Sequence, residues 1–169
     1  MHPYLQQTQD AIDAAAAGLH PDRLTTHPGE GKWSAAEILE HLARAFKETV
    51  PGLEKCLERG ATIAKPATLY QRMAALLVVQ LQYLPSGRKA PQMTVPHGMD
   101  PDEIMATIHQ SLASMDELFA RCEQRFGDVK LMNHPVLGPL TAAEWRKFHW
   151  VHTRHHMKQV SALAQRALS

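Results

Sequence analysis

Hydrophobic positions in this chain recur at three- and four-residue intervals through four long stretches, and that spacing predicts four amphipathic helices. The first runs from about Tyr4 to Leu19 and turns Leu5, Thr8, Ile12, Ala15, Ala16 and Leu19 inward. A loop from Gly18 through Pro21-Asp22 to Gly31 separates it from the second, Ser34 to about Arg59, whose stripe is Ile38, Leu42, Ala45, Phe46, Thr49 and Leu53. The third opens at Asp100-Pro101-Asp102-Glu103 and carries Ile104, Ile108, Leu112, Met115, Phe119, Cys122 and Phe126 before Gly127 stops it. The fourth runs from Thr141 to about Leu168 on Trp145, Phe148, His152, His156, Val160 and Leu163. Start signals agree with these limits. Ser34 with Glu37, and Thr141 with Glu144, form capping boxes, and Asp100 precedes a proline suited to the first helical position. No alternating strand pattern interrupts them, so the expected architecture is all-α, a four-helix bundle in a single domain spanning 1–169.

The connection from Gly60 to Met99 is too long for a plain loop. Thr68 to Leu84 reads as a short extra helix using Leu69, Met73, Leu76, Leu77 and Leu81, followed by the proline-rich and irregular stretch Pro85 to Gly98. Leu76-Leu77-Val78-Val79 is apolar all round a helix, so two opposite faces need cover. The extra helix is therefore expected either as a fifth core element or as part of a two-fold homodimer interface. A sharper alternative makes the insertion a pocket wall that brings Arg72, Arg88 or His97 toward a substrate.

Composition narrows the partners. A formal net charge of +1 over 169 residues gives no general pull toward nucleic acid or an anionic membrane. The longest apolar run, Met73 to Val79, is too short to span a bilayer, and the first residues lack the basic-then-apolar order of a signal peptide. Cys56 and Cys122 fall on helical patterns and make no disulfide framework, which fits a reduced, cytoplasmic setting. There is no Gly-x-Ser-x-Gly elbow, phosphate-binding glycine loop, Cys-x-x-Cys or His-Glu-x-x-His.

The candidate chemistry lies in histidine. Four of the eleven fall within His149-Trp150-Val151-His152-Thr153-Arg154-His155-His156. His152 and His156 stand one turn apart on the inward face, about 40° apart at about 100° per residue. His41, three residues after Ile38, points into the same core from the second helix. One such imidazole is usually satisfied by a carbonyl or carboxylate. Three together are either each satisfied in that way and bind nothing, or satisfied at once by a single divalent ion, the reading favoured here. His149 lies two turns from His156, too far to share the ion easily, and reads as a neighbour of the ligands or a pocket residue. His155 points about 100° away, toward a helix interface. Gln159, three residues after His156, is placed to hydrogen-bond it; Glu37, on the face of His41, is explained by capping unless it orients that ring. The remaining histidines, His134 and His97 among them, read as surface or loop residues.

Trp33-Ser34-Ala35-Ala36-Glu37-Ile38-Leu39-Glu40-His41-Leu42 resembles the first signature of the DinB-like superfamily of small helical metalloproteins. Asn133 to Trp145 is similar to the turn entering that family's last helix, and His152-x-x-His155-His156-x-x-Gln159 to the elements that close it. The resemblance implies a four-helix bundle with a three-histidine site for a divalent metal, often nickel or zinc, with His41, His152 and His156 as the matching positions. It also implies a relation to bacillithiol S-transferases and the mycothiol-dependent maleylpyruvate isomerase, hence a small-molecule substrate, metal activation of a low-molecular-weight thiol, and a homodimer. A metal-dependent hydrolase, or a non-catalytic bundle that keeps the ion for stability or sensing, are the alternatives.

Overall fold

The computed structural model describes residues 1–20, 24–85, 87 and 89–166. Its helices are α1 (Pro3–Ala17), α2 (Ala35–Arg59), α3 (Leu69–Ala75), α4 (Pro101–Phe126) and α5 (Ala142–Arg166). The bundle consists of α1, α2, α4 and α5: α2 lies along α4, α1 along α5, and α2 also meets α5. Helix starts follow the side chains that satisfy the first backbone N–H groups. The Ser34 hydroxyl accepts from Glu37 N at 3.2 Å while the Glu37 carboxylate accepts from Ser34 N at 2.7 Å. Thr141 and Glu144 repeat the exchange at 3.3 and 2.8 Å, and Thr68 with Gln71 does so at the head of α3. α2 stops at Gly60, whose φ of 63° is a left-handed conformation that costs glycine little.

The stripes meet in one core. Leu5 and Ile12 from α1, Leu42, Phe46 and Leu53 from α2, Ile108, Leu112, Met115 and Phe119 from α4, and Val151 and Val160 from α5 are all buried in it. Arg146 is drawn in as well; its guanidinium pairs with Glu123 of α4 at 2.6 Å and lies over the Phe119 ring.

Three features depart from the periodic reading. Residues expected to be a plain turn form an antiparallel hairpin, β1 (Met132–His134) with β2 (Gly138–Leu140), in which Met132 faces Leu140 and His134 faces Gly138. Each strand is three residues long, too short for alternation to register. Met132 seats against α2 at Gly52, where a Cβ would collide with its sulfur. The extra helix is shorter than expected: α3 ends at Ala75 and widens into a π-helical turn, Leu76–Gln80. Arg154 of α5 then fastens the chain by donating to the Gln82 carbonyl at 2.9 Å, with Gln82 itself at a φ of 53°. Finally, α1 ends at Ala17 rather than Leu19. Pro21 and Asp22 of the following loop, Ser86 and Arg88 of the insertion, and Leu168 lie outside the described residues.

Ala74, Val78 and Val79 pack into the core, so one face of the insertion is a fifth core element. The opposite face carries Leu69 at 78%, Met73 at 61%, Leu76 at 49% and Leu81 at 66% exposure. Apolar patches larger than about 300–600 Å² are rare on monomers. We propose that a second copy of the chain covers this face, with light scattering giving a dimer at micromolar concentration. Met73→Glu with Leu76→Glu should yield a monomer of unchanged helix content. A wild-type monomer, or a double variant that stays dimeric, contradicts the assignment.

Candidate metal centre

His41 comes from α2 and His152 and His156 from α5, where the two helices face each other. All three are buried, at 4%, 9% and 8% exposure. The Nε2 of His152 lies 3.1 Å from the Nε2 of His41 and 3.1 Å from that of His156. The three nitrogens fall within 4.8 Å of one another. Donors about 2.0–2.1 Å from a tetrahedral ion sit about 3.3 Å apart, so the observed spacing suits a shared cation.

Hydrogen bonds on the far side of two rings decide what the near side offers. His41 Nδ1 lies 2.9 Å from the Thr94 carbonyl oxygen, and His156 Nδ1 lies 2.7 Å from Gln159 Oε1. Both oxygens only accept, so both Nδ1 atoms carry the proton and both Nε2 atoms present a lone pair. A neutral His152 has one proton and cannot donate to two neighbours at once. Among the described residues its own Nδ1 has no hydrogen-bond partner, so either tautomer of His152 leaves a buried polar atom unsatisfied. In either tautomer at least one buried Nε2 lone pair faces another ring nitrogen with no proton between them, an arrangement that a cation would satisfy. The donor set therefore fits a divalent ion. Packing holds the rings in place: His152 stacks on Phe148 at 5.4 Å and 11°, and Trp33 covers His41 at 5.2 Å.

Electrostatics points the same way. Burial, and then the neighbouring His156 and His41, push the His152 pKa well below the usual imidazole value. Burial and His41 bring His156 down to about 4 against the opposing Gln159 hydrogen bond. Burial lowers His41 despite its bond to Thr94. In all three the shift favours the neutral imidazole, the form that binds metal.

Other expectations meet mixed outcomes. Gln159 does hold His156. Glu37 caps Ser34 and pairs with His27 at 2.9 Å, leaving the orientation of His41 to Thr94. His149 is fully buried outside the ligand cluster and bonds Thr49 Oγ1 at 3.2 Å. The Thr49 hydroxyl donates to the Ala45 carbonyl and so accepts from His149 Nε2. His155 is half-buried beside Gln159, 3.4 Å away. His134, expected on a loop surface, is half-buried in the hairpin, where its ring packs on Trp145 and Phe148 and its Nδ1 accepts from Val136 and Leu137 N–H. Arg72 and His97 are exposed.

Sequence reasoning missed Glu40. It is buried at 1% and accepts the backbone N–H groups of His97, Gly98 and Met99 at 2.6, 2.9 and 3.0 Å. Burial alone would raise its pKa; those three bonds and Arg44 outweigh it and hold the carboxyl below the usual range. The available signal was a lone charge inside Ile38-Leu39-Glu40-His41-Leu42-Ala43, where the helix is buried all round.

Over residues 5–162 the sequence matches the family described as Protein of unknown function (DUF1569). The chain belongs to this family. No curated protein is close enough in sequence to match. In structure this DUF1569 member is similar to YfiT from Bacillus subtilis, described as a probable metal-dependent hydrolase with an unusual four-helix bundle topology. The TM-score is 0.61 at 16% identity, covering 97% of this chain and 83% of that one. The similarity is one of fold, and it is the bundle that the DinB-like motifs imply. Among the described residues no helix is long and apolar enough to cross a membrane.

Two histidines outside the cluster set an expected pH dependence. Burial lowers His134 to about 4; burial and then His134 lower His149 to about 3. In the unfolded chain both titrate near 6.5. Between these limits the unfolded state binds more protons, so stability is complete above about pH 6.5 and falls as the pH drops through 4. Urea titrations of metal-free protein at pH 7 and pH 5 should show the loss, to which the cluster histidines add, and His149→Gln should reduce it without abolishing it. That variant is expected to cost about 1–3 kcal/mol at pH 7 through its disturbed bond to Thr49. Equal urea midpoints at the two pH values would refute the assignment.

Proposed function

We propose that His41, His152 and His156 hold one divalent ion, nickel or zinc, and that the site is the centre of an enzyme that activates a small nucleophile. One observation carries this reading: the cluster is three neutral nitrogens, and among the described residues no fourth His, Cys, Asp or Glu joins them. Structural metal sites are usually closed by four protein ligands, whereas three with an open position characterise catalytic ones. An ion held only by neutral ligands keeps its full charge and supplies Lewis acidity, lowering the pKa of a water or thiol brought to it. The chain's own part is to keep each imidazole neutral and aimed, through the Thr94 carbonyl, Gln159 and the stacked Phe148.

The nucleophile is exogenous in this reading. Burial raises the Cys56 pKa, and burial with Cys56 beside it pushes Cys122 up to about 11, so neither thiol is poised to attack. A low-molecular-weight thiol transferred to a small electrophile is the reaction favoured by the resemblance of the histidine motifs to thiol transferases. Water, giving hydrolysis, is favoured by the shared fold with a protein described as a probable metal-dependent hydrolase.

Protein purified without an affinity tag should carry one ion per chain. His41→Ala and His152→Ala should fall well below that, and full stoichiometry in both would overturn the ligand assignment. Chelation of the wild type should lower its Tm, and re-addition of metal restore it, because a ligand bound only to the folded state stabilises by mass action. A thiol-by-electrophile screen on loaded protein, run beside ester and amide substrates without thiol, separates the two reactions. Turnover that requires thiol supports transfer. Turnover without it supports hydrolysis, and a uniformly inactive holoprotein argues against an enzyme.

A further inference from the structure

We infer that Glu40 is a positioning residue for the metal centre, acting through the segment Pro91–Met99 that it clamps onto α2; the inference rests on His41 being a ligand. Three neighbouring positions on α2 grip this strap. Arg44 donates from Nε and Nη2 to the Met93 carbonyl at 3.1 and 3.0 Å. His41 donates to the Thr94 carbonyl at 2.9 Å. Glu40 accepts from three consecutive backbone amides, at 97, 98 and 99. Between the grips the strap is locally tied: Thr94 donates from its backbone N and its hydroxyl to the Pro91 carbonyl, and Val95 N donates to Gln92.

The Glu40 grip depends on backbone shape. Gly98 has a φ of 90°, which turns successive N–H groups toward one point, an anion-binding nest that here receives a side-chain carboxylate. A Cβ at Gly98 would meet nothing within 4 Å, so its substitution acts through backbone conformation alone.

The acceptor that orients His41 is a main-chain carbonyl on a segment without regular structure beyond the turn Gln92–Thr94. Its position is only as fixed as the strap. Glu40 supplies a charged, buried anchor a few residues further on, and a misplaced Thr94 carbonyl would let the His41 ring rotate or change tautomer. Partners beyond the direct ligands are typically worth about 10–100-fold in metal affinity. Coupling is reciprocal, so metal on His41 must also tighten the strap by the factor that the strap contributes to metal binding.

Zinc affinity by chelator competition, read beside amide exchange at residues 97–99, tests the inference. Glu40→Gln keeps the size but loses the charge and one acceptor, and should bind zinc about 10–100-fold more weakly at unchanged one-to-one stoichiometry. Gly98→Ala, which leaves every side chain of the centre intact, should weaken it about threefold to tenfold. In the wild type zinc should slow exchange at 97–99, an effect much reduced in Glu40→Gln. Gly127→Ala imposes a comparable positive-φ strain at the end of α4, at a φ of 73°, and should lower stability without changing zinc affinity. Wild-type zinc affinity in folded Gly98→Ala, or an equal loss in Gly127→Ala, overturns the positioning role while leaving the centre standing. A wild type that takes up no zinc or nickel overturns the centre itself, and the role of Glu40 with it.

Discussion

Three imidazole nitrogens meeting in a buried space between α2 and α5 are the constraint around which the rest of the structure is arranged. Each neutral imidazole has one donor and one acceptor, and a core must satisfy both. For His41 and His156 the donors are spent on Thr94 and Gln159, which leaves two acceptors facing a third ring. A neutral His152 has one proton and satisfies at most one of them, so the other acceptor is left without a donor. Burial also prevents the rings from charging, since it lowers the pKa of all three. A cation bound between the rings would offset that polar cost.

Helix phase sets the geometry. The Ser34–Glu37 and Thr141–Glu144 capping boxes start α2 and α5, and from there the helical repeat dictates which residues face each other. A one-residue shift in either start would rotate its histidines by about 100° and empty the centre of a ligand. Around the ligands the bundle interior is more polar than a plain apolar core: His149 with Thr49 and the Arg146–Glu123 pair occupy it too. The first ties α5 to α2, the two helices that carry the clustered histidines, and the second ties α5 to α4.

The insertion between α2 and α4 does two different jobs. Its first half buries Ala74, Val78 and Val79 and leaves Leu69, Met73, Leu76 and Leu81 outward. Its second half returns along α2 and brings the Thr94 carbonyl to His41. One histidine of the cluster thus borrows its orientation from a segment that contributes no side chain to it.

The helices, their starts and the three core-facing histidines are legible in the sequence because each rests on local rules: a 3.6-residue repeat, a Ser or Thr followed three positions later by Glu, and a His placed on an apolar stripe. His152 and His156 are a single turn apart, so their adjacency needs no tertiary information. Their meeting with His41 was an inference from two stripes sharing a core. Glu40 was hard to read because it lies off the apolar stripe of α2, where a carboxylate is expected to face solvent, and its burial comes from the strap laid over it from 97 to 99. Thr94 was illegible for a different reason: its contribution is a carbonyl oxygen, which every residue possesses. The hairpin was too short to alternate, and His134 is covered only because that hairpin folds over Trp145 and Phe148. Local sequence determined which faces exist and which chemistry they carry. Only the tertiary structure decided which backbone atoms arrive from 50 or more residues away to aim that chemistry, because such contacts depend on the path of an irregular chain rather than on any repeat within it.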